Sequence, residues 1–127
     1  MTRKRPPKPT DAELALLRVL WGNGPATVRQ IRDAVEVKQR TGYTTVLKTL
    51  QIMTTKGLVV RDESQHAHIY QAALAQEQTQ RQLVSELLER AFSGSASHLV
   101  VQALTEKPAS RKELAEIRHL LDKLEES

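Results

Sequence analysis

The chain has 127 residues, 39% of them hydrophobic and only 3% aromatic, with a formal net charge of +4 and no cysteine. That length suffices for one compact domain or two small ones, with a core built from leucine, valine, isoleucine and alanine. The lack of cysteine excludes disulfide staples, thiolate metal sites and a cysteine nucleophile, and no apolar run approaches the length of a membrane span.

The net charge hides an asymmetry. Residues 1–72 carry twelve Lys/Arg against six Asp/Glu, whereas residues 73–127 carry seven against nine. A part that attracts polyanions is thus joined to a slightly acidic part, which suggests a division of labour. Residues 1–9 hold Arg3, Lys4, Arg5 and Lys8 among three prolines. Proline removes backbone donors and fixes φ, so this stretch reads as a flexible basic arm. No hydrophobic segment follows it, so a secretory signal is not expected. A reducing cytoplasm suits a chain without cysteine.

Thr10 opens the first helix, with Glu13 in the capping-box position and Leu14, Leu17, Val19, Leu20 and Trp21 following. Gly22-Asn23-Gly24-Pro25 ends it. Thr27 caps a second helix with Gln30 as its box partner. There Val28, Ile31, Ala34 and Val35 form the inner stripe, and Arg29, Arg32, Asp33 and Glu36 face outward. A short turn from Lys38 to Thr41 leads to a third helix that Gly57 stops. Tyr43, Val46, Leu47, Leu50 and Met53 gather on its inner side. Thr41, Thr44, Thr45, Lys48, Ile52 and Thr55 gather on the other. Threonine is a mediocre helix former, so a stripe of short hydroxyls with one lysine is better explained by close approach to a surface than by solvation. A helix lying in a DNA major groove needs such a face. Gly57 stands where a left-handed C-terminal residue belongs.

Two β-type runs follow, Leu58–Arg61 and Ala67–Gln71, joined by a polar turn. Three helices and a hairpin in this order make a winged helix-turn-helix over residues 10–73. A lone hairpin is marginal, so Val59, Ile69 and Tyr70 are expected to pack on the helices. Residues 74–127 read as three amphipathic helices. The first runs from about Ala75 to Phe92. A second follows Ser93-Gly94-Ser95, and Ser110, with Glu113 as its box partner, caps the last. The fold class is therefore mainly α, a winged helix-turn-helix domain followed by a small all-helical lobe. That lobe is thin, and its Leu83, Leu87, Leu88, Leu99, Val100, Leu114, Ile117, Leu121 and Leu124 are expected to be covered by a second copy in a homodimer.

Thr41, Thr44, Thr45 and Lys48 are the direct-readout candidates, because threonine offers a hydroxyl to base edges and a methyl to thymine, and lysine reaches guanine or phosphate. In this fold the second helix crosses the DNA backbone, which makes Arg29, Arg32 and Arg40 phosphate contacts. Tyr43, though spaced with the inner stripe, is included among the DNA-binding candidates, as is His66 in the hairpin turn. His66 and His68 share a strand face at a spacing that suits metal, but no third ligand is near, so neither metal nor cofactor is expected. His98 and His119 are read as structural. No phosphate-binding glycine loop, metalloprotease histidine pair or serine elbow is present, so an enzyme is not expected.

The segments Tyr43-Thr44-Thr45-Val46, Lys56-Gly57-Leu58-Val59, His68-Ile69-Tyr70, Thr10–Leu14 and Val19-Leu20-Trp21 resemble the penicillinase-repressor family of bacterial regulators (BlaI/MecI-type). Ser97–Val100 and Glu113–Leu121 continue the likeness, which spans nearly the whole chain after the arm. The resemblance implies a bacterial homodimeric repressor that binds a dyad-symmetric operator in double-stranded DNA through its winged helices and dimerises through its C-terminal helices. It also implies a membrane sensor protease as a partner. Members inactivated that way are cut in the short helix after the Leu-Val pair, usually at an Asn-Phe step, where Gln102-Ala103 stands in this chain. Copper-responsive relatives carry a C-terminal cysteine motif that is missing here. Isoleucine occupies position 52, which is often basic in the family, and His66 stands near the usual wing arginine. The alternative reading is a winged-helix protein-interaction module without nucleic acid. A ligand-responsive repressor would need a pocket between the lobes, which the residues do not reveal.

Overall fold

The computed structural model describes residues 7–36 and 41–127. Among them run α1 (Asp11–Asn23), β1 (Ala26–Thr27), α2 (Val28–Glu36), α3 (Tyr43–Lys56), β2 (Val59–Asp62), β3 (Ile69–Ala72), α4 (Gln76–Ala91), α5 (Ala96–Glu106) and α6 (Arg111–Glu125). Contacts divide the chain between Leu83 and Val84 into two compact units. Arg40 and the residues 1–6 of the basic arm lie outside the described residues.

The predicted caps form. Thr10 Oγ1 accepts from the Glu13 amide at 3.2 Å and the Thr10 amide donates to Glu13 Oε1 at 2.9 Å. Thr27 and Gln30 exchange the same pair of bonds at 3.2 and 2.9 Å, and Ser110 and Glu113 at 3.1 and 3.3 Å. Each box satisfies amides that the first helical turn leaves without partners. At the other end of α3, Gly57 adopts φ 83° and ψ 16°, and the Leu58 amide reaches back to Met53 O at 2.9 Å.

In the first unit, α1, α2 and α3 pack around Leu16, Leu17, Leu20, Ile31, Leu50 and Met53, all buried. Val59 and Tyr70 close this core from the hairpin side. Trp21 is half-buried and its indole Nε1 donates to Leu74 O at 3.0 Å, tying the start of the helical tail to α1. The sheet has three strands rather than two, in the order β1-β3-β2 and antiparallel throughout. Ala26 pairs with Tyr70 and Thr27 with Ile69, while Val59 pairs with Ala72 and Asp62 with Ile69. The two residues of β1 escaped the sequence reading because they are too few to show a period. They supply the third strand that a marginal hairpin lacks.

Three expectations are corrected. Tyr43 is not core. It is 47% exposed, because it begins α3 ahead of the turn that packs. Thr41 ends the turn before Gly42, the cap of the helix, but it is half-buried and does not belong to the exposed outer stripe. His98 and His119 are exposed on α5 and α6 and hold no interior position. In the second unit no residue from Val84 to Ser127 is buried. Leu87, Val100, Val101, Leu120, Leu121 and Leu124 are exposed large apolar chains on its helices.

Candidate nucleic-acid interface

The sequence YTTVLKTLQIMTTK makes α3 two-sided. Val46, Leu50 and Met53 are buried, and their spacing of four and three holds one face against α1, α2 and β2. Thr44, Thr45, Lys48, Ile52 and Thr55 are exposed on the other side. No acidic residue lies on the helix. The threonines are not equivalent. The hydroxyls of Thr49, Thr54 and Thr55 donate to the carbonyls of Thr45, Leu50 and Gln51 at 2.8, 2.8 and 3.2 Å. Those protons are spent inside the helix. The hydroxyls of Thr44 and Thr45 make no hydrogen bond with the other described residues and remain free to donate. Gly42 offers no side-chain acceptor at the N-terminus of α3. The amides of that turn thus keep their capacity for an anion.

Beside α3 lies an open cleft of about 630 Å³ between the helix, the start of α2 and the hairpin. Arg29, Tyr43 and His66 meet here, although they are far apart in the chain. Leu47, Gln51, Arg61 and His68 join them, four residues that are not among the DNA-binding candidates of the sequence. Gln51 could have been found from its helical spacing after Tyr43 and Leu47. Arg61 could not, because its orientation depends on strand pairing with Tyr70. A hydrogen bond donated by the Arg61 guanidinium to the Tyr70 phenol oxygen keeps the guanidinium charged, above its ordinary value, with Glu63 adding attraction. Thr41 and Thr45 stand apart, lining with Thr49 a pocket of about 250 Å³ against Ala12 and Ala15 of α1. Lys48 lies on a third surface, with Gln51, Ile52 and Thr55.

The acids near this face are occupied. Asp33 pairs with Arg32 at 2.9 Å, and Glu63 pairs with Arg61. Asp62 accepts from the Ser64 amide at 2.9 Å, and the Ser64 hydroxyl and amide hold its carboxyl below the ordinary value. Arg32 is half-buried and engaged with Asp33, whereas Arg29 is exposed. The surface along α3 is therefore fringed by cations and free of unbalanced negative charge among the residues just named. That is the electrostatic footprint of a duplex-binding face.

Glu13 and Lys56 sit behind this face. Lys56 Nζ lies 2.7 and 3.0 Å from the two carboxylate oxygens of Glu13. Burial pushes the Glu13 carboxyl upward, but the bonds from Lys56 and Thr10 outweigh it and hold the group below 4.5. The pair ties the C-terminus of α3 to the N-terminus of α1.

The fold agrees with that of known proteins. A sequence profile of penicillinase repressors matches residues 9–123. Two relatives, each named transcriptional regulator BlaI and from two strains of Mycobacterium tuberculosis, are 32% identical over 114 residues. That alignment covers 84% of this chain and 83% of theirs. The solution structure of monomeric BlaI from Bacillus licheniformis, in complex with the blaP half-operator, superposes with a TM-score of 0.52 at 17% identity. It covers 60% of this chain and 93% of the other. The profile match over nearly the whole chain, with the two-sided α3 on a three-helix and hairpin frame, places this chain in the penicillinase repressor family, whose members are DNA-binding transcriptional repressors and not enzymes.

Proposed function

We propose that this protein is a homodimeric repressor that occupies a dyad-symmetric operator, with α3 of each protomer in the major groove. The observation that carries this reading is the outward face of α3, where Thr44, Thr45 and Lys48 are exposed on a helix without acids. Thr44 and Thr45 read base edges, and Lys48 reaches guanine or phosphate. Arg29 and His66, on opposite walls of the cleft beside α3, hold the phosphate backbone and set the register. Arg32 and Tyr43 border that contact. Two copies pair through the C-terminal helices α4 to α6, where Leu83, Leu88, Leu99, Leu114 and Ile117 are only half-covered and Leu87, Val100, Leu121 and Leu124 are exposed. Half-sites then lie about one helical turn, or a multiple, apart. The half-operator named in the B. licheniformis complex supports the same reading. A membrane sensor protease is a further partner under this reading, although Gln102 and Ala103, both exposed on α5, do not supply the Asn-Phe step of the cleaved members. The repressor works in the cytoplasm, beside the DNA it holds.

Selection of bound fragments from a genomic pool, followed by gel-shift titration against salt, tests the proposal. The expected result is enrichment of a dyad-symmetric sequence. Lys48→Ala should flatten the salt slope by about one. Thr44→Ala should change which sequences are recovered while leaving that slope alone. A chain that shifts no duplex at all would overturn the repressor and leave the protein-docking reading in its place.

A further inference from the structure

Ile52 interrupts the polar face of α3. It is 55% exposed, on the same side as Lys48 and Thr55 and away from Val46, Leu50 and Met53. Lys48, Gln51, Ile52, Thr55 and Lys56 border a shallow depression of about 400 Å³. Thr55 has no hydroxyl proton to give there, since it donates to Gln51 O. The Lys56 ammonium is held by Glu13, so its aliphatic stem is what remains for this surface. At the middle of the reading face Ile52 therefore presents an apolar surface, bordered by the Gln51 amide and by Lys48, whose ammonium is the one there without an ion pair among the described residues.

An aliphatic chain pressed onto a base edge needs an aliphatic partner, because covering a donor or acceptor leaves that group without its bond. The major groove displays one apolar group, the C5 methyl of thymine. We infer that Ile52 is a specificity-determining residue, which selects thymine at one position of each half-site by packing on that methyl. The inference rests on the DNA-binding reading above and deepens it. It sets a division along α3. Thr44 and Thr45 read through hydroxyls in the first turn, and Ile52 reads by apolar contact two turns on.

The test uses the full chain and the duplex recovered by selection. Each thymine of that duplex is replaced singly by deoxyuridine, which removes the methyl and keeps the Watson–Crick face. Wild type and Ile52→Ala are titrated against the whole set. Alanine at an exposed helical position preserves the helix, so the variant is expected to fold. The expected result is a thymine in each half-site whose conversion to uracil weakens wild type about fourfold, the worth of one methyl-sized contact. Ile52→Ala should bind the natural duplex more weakly by a similar factor and show no response to uracil at that place. Equal uracil sensitivity in both proteins, or none in wild type, overturns the role of Ile52 and leaves the repressor standing. Failure of wild type to select any duplex overturns both.

Discussion

Glu13 shows how one residue can serve two elements. Its carboxylate caps α1 through the Thr10 amide and at the same time receives Lys56 from the end of α3. It is buried, while the Lys56 side chain keeps 28% of its exposure. Removing the lysine leaves a carboxylate without its partner in a site with little water. Lys56→Met should therefore cost about 2–3 kcal/mol, less than a fully buried pair because solvent reaches one side. Urea unfolding at neutral pH checks it. The pair also has a pH signature. Glu13 titrates lower in the folded chain than its ordinary 4.5, so the stability it contributes is complete above that value and is lost as the pH falls through the folded one. Glu13→Gln should be less stable than wild type at neutral pH. The gap should narrow on acidification below about 4.5, and a gap independent of pH would remove this role.

At the scale of the element, α3 depends on how it ends. Gly57 sits at φ 83°, and a Cβ added there would meet nothing within 4 Å. Replacement is therefore penalised by backbone conformation alone. Gly57→Ala should cost about 1–2 kcal/mol, read as a lowered urea midpoint with an unchanged slope. The hairpin depends on the opposite kind of feature, deep packing. Tyr70 is fully buried, pairs with Ala26 of β1 and borders the cleft beside α3. Tyr70→Ala should cost about 3–5 kcal/mol and lower DNA affinity with it, because the wall carrying His66 loses its anchor. Parallel unfolding and gel-shift measurements separate the two effects.

For the whole molecule, the proposed dimer decides affinity. A unit with no buried residue has little to hold three helices in place unless another surface covers them. Leu124, at 61% exposure, is among the apolar chains that a second copy would bury. Sedimentation at micromolar concentration should give twice the chain mass, and Leu121→Asp with Leu124→Asp should return it to one. A monomeric wild type would remove the dimer from the proposal while leaving each winged helix able to meet a half-site.

The capping boxes at Thr10, Thr27 and Ser110, the stop at Gly57 and the buried stripe of α3 were legible because each is a local rule, set by spacing and by a backbone that allows few conformations. The winged-helix order and the outward threonines followed from them. Tertiary structure alone decided the rest. It paired Ala26–Thr27 with β3, joined Glu13 to Lys56 across 43 residues, set Arg61 and His68 beside Arg29, and turned Tyr43 outward. These are contacts between distant segments, and no period or dipeptide encodes them. They arise only when packing of the core has fixed the angle between α1 and α3 and the register of the strands.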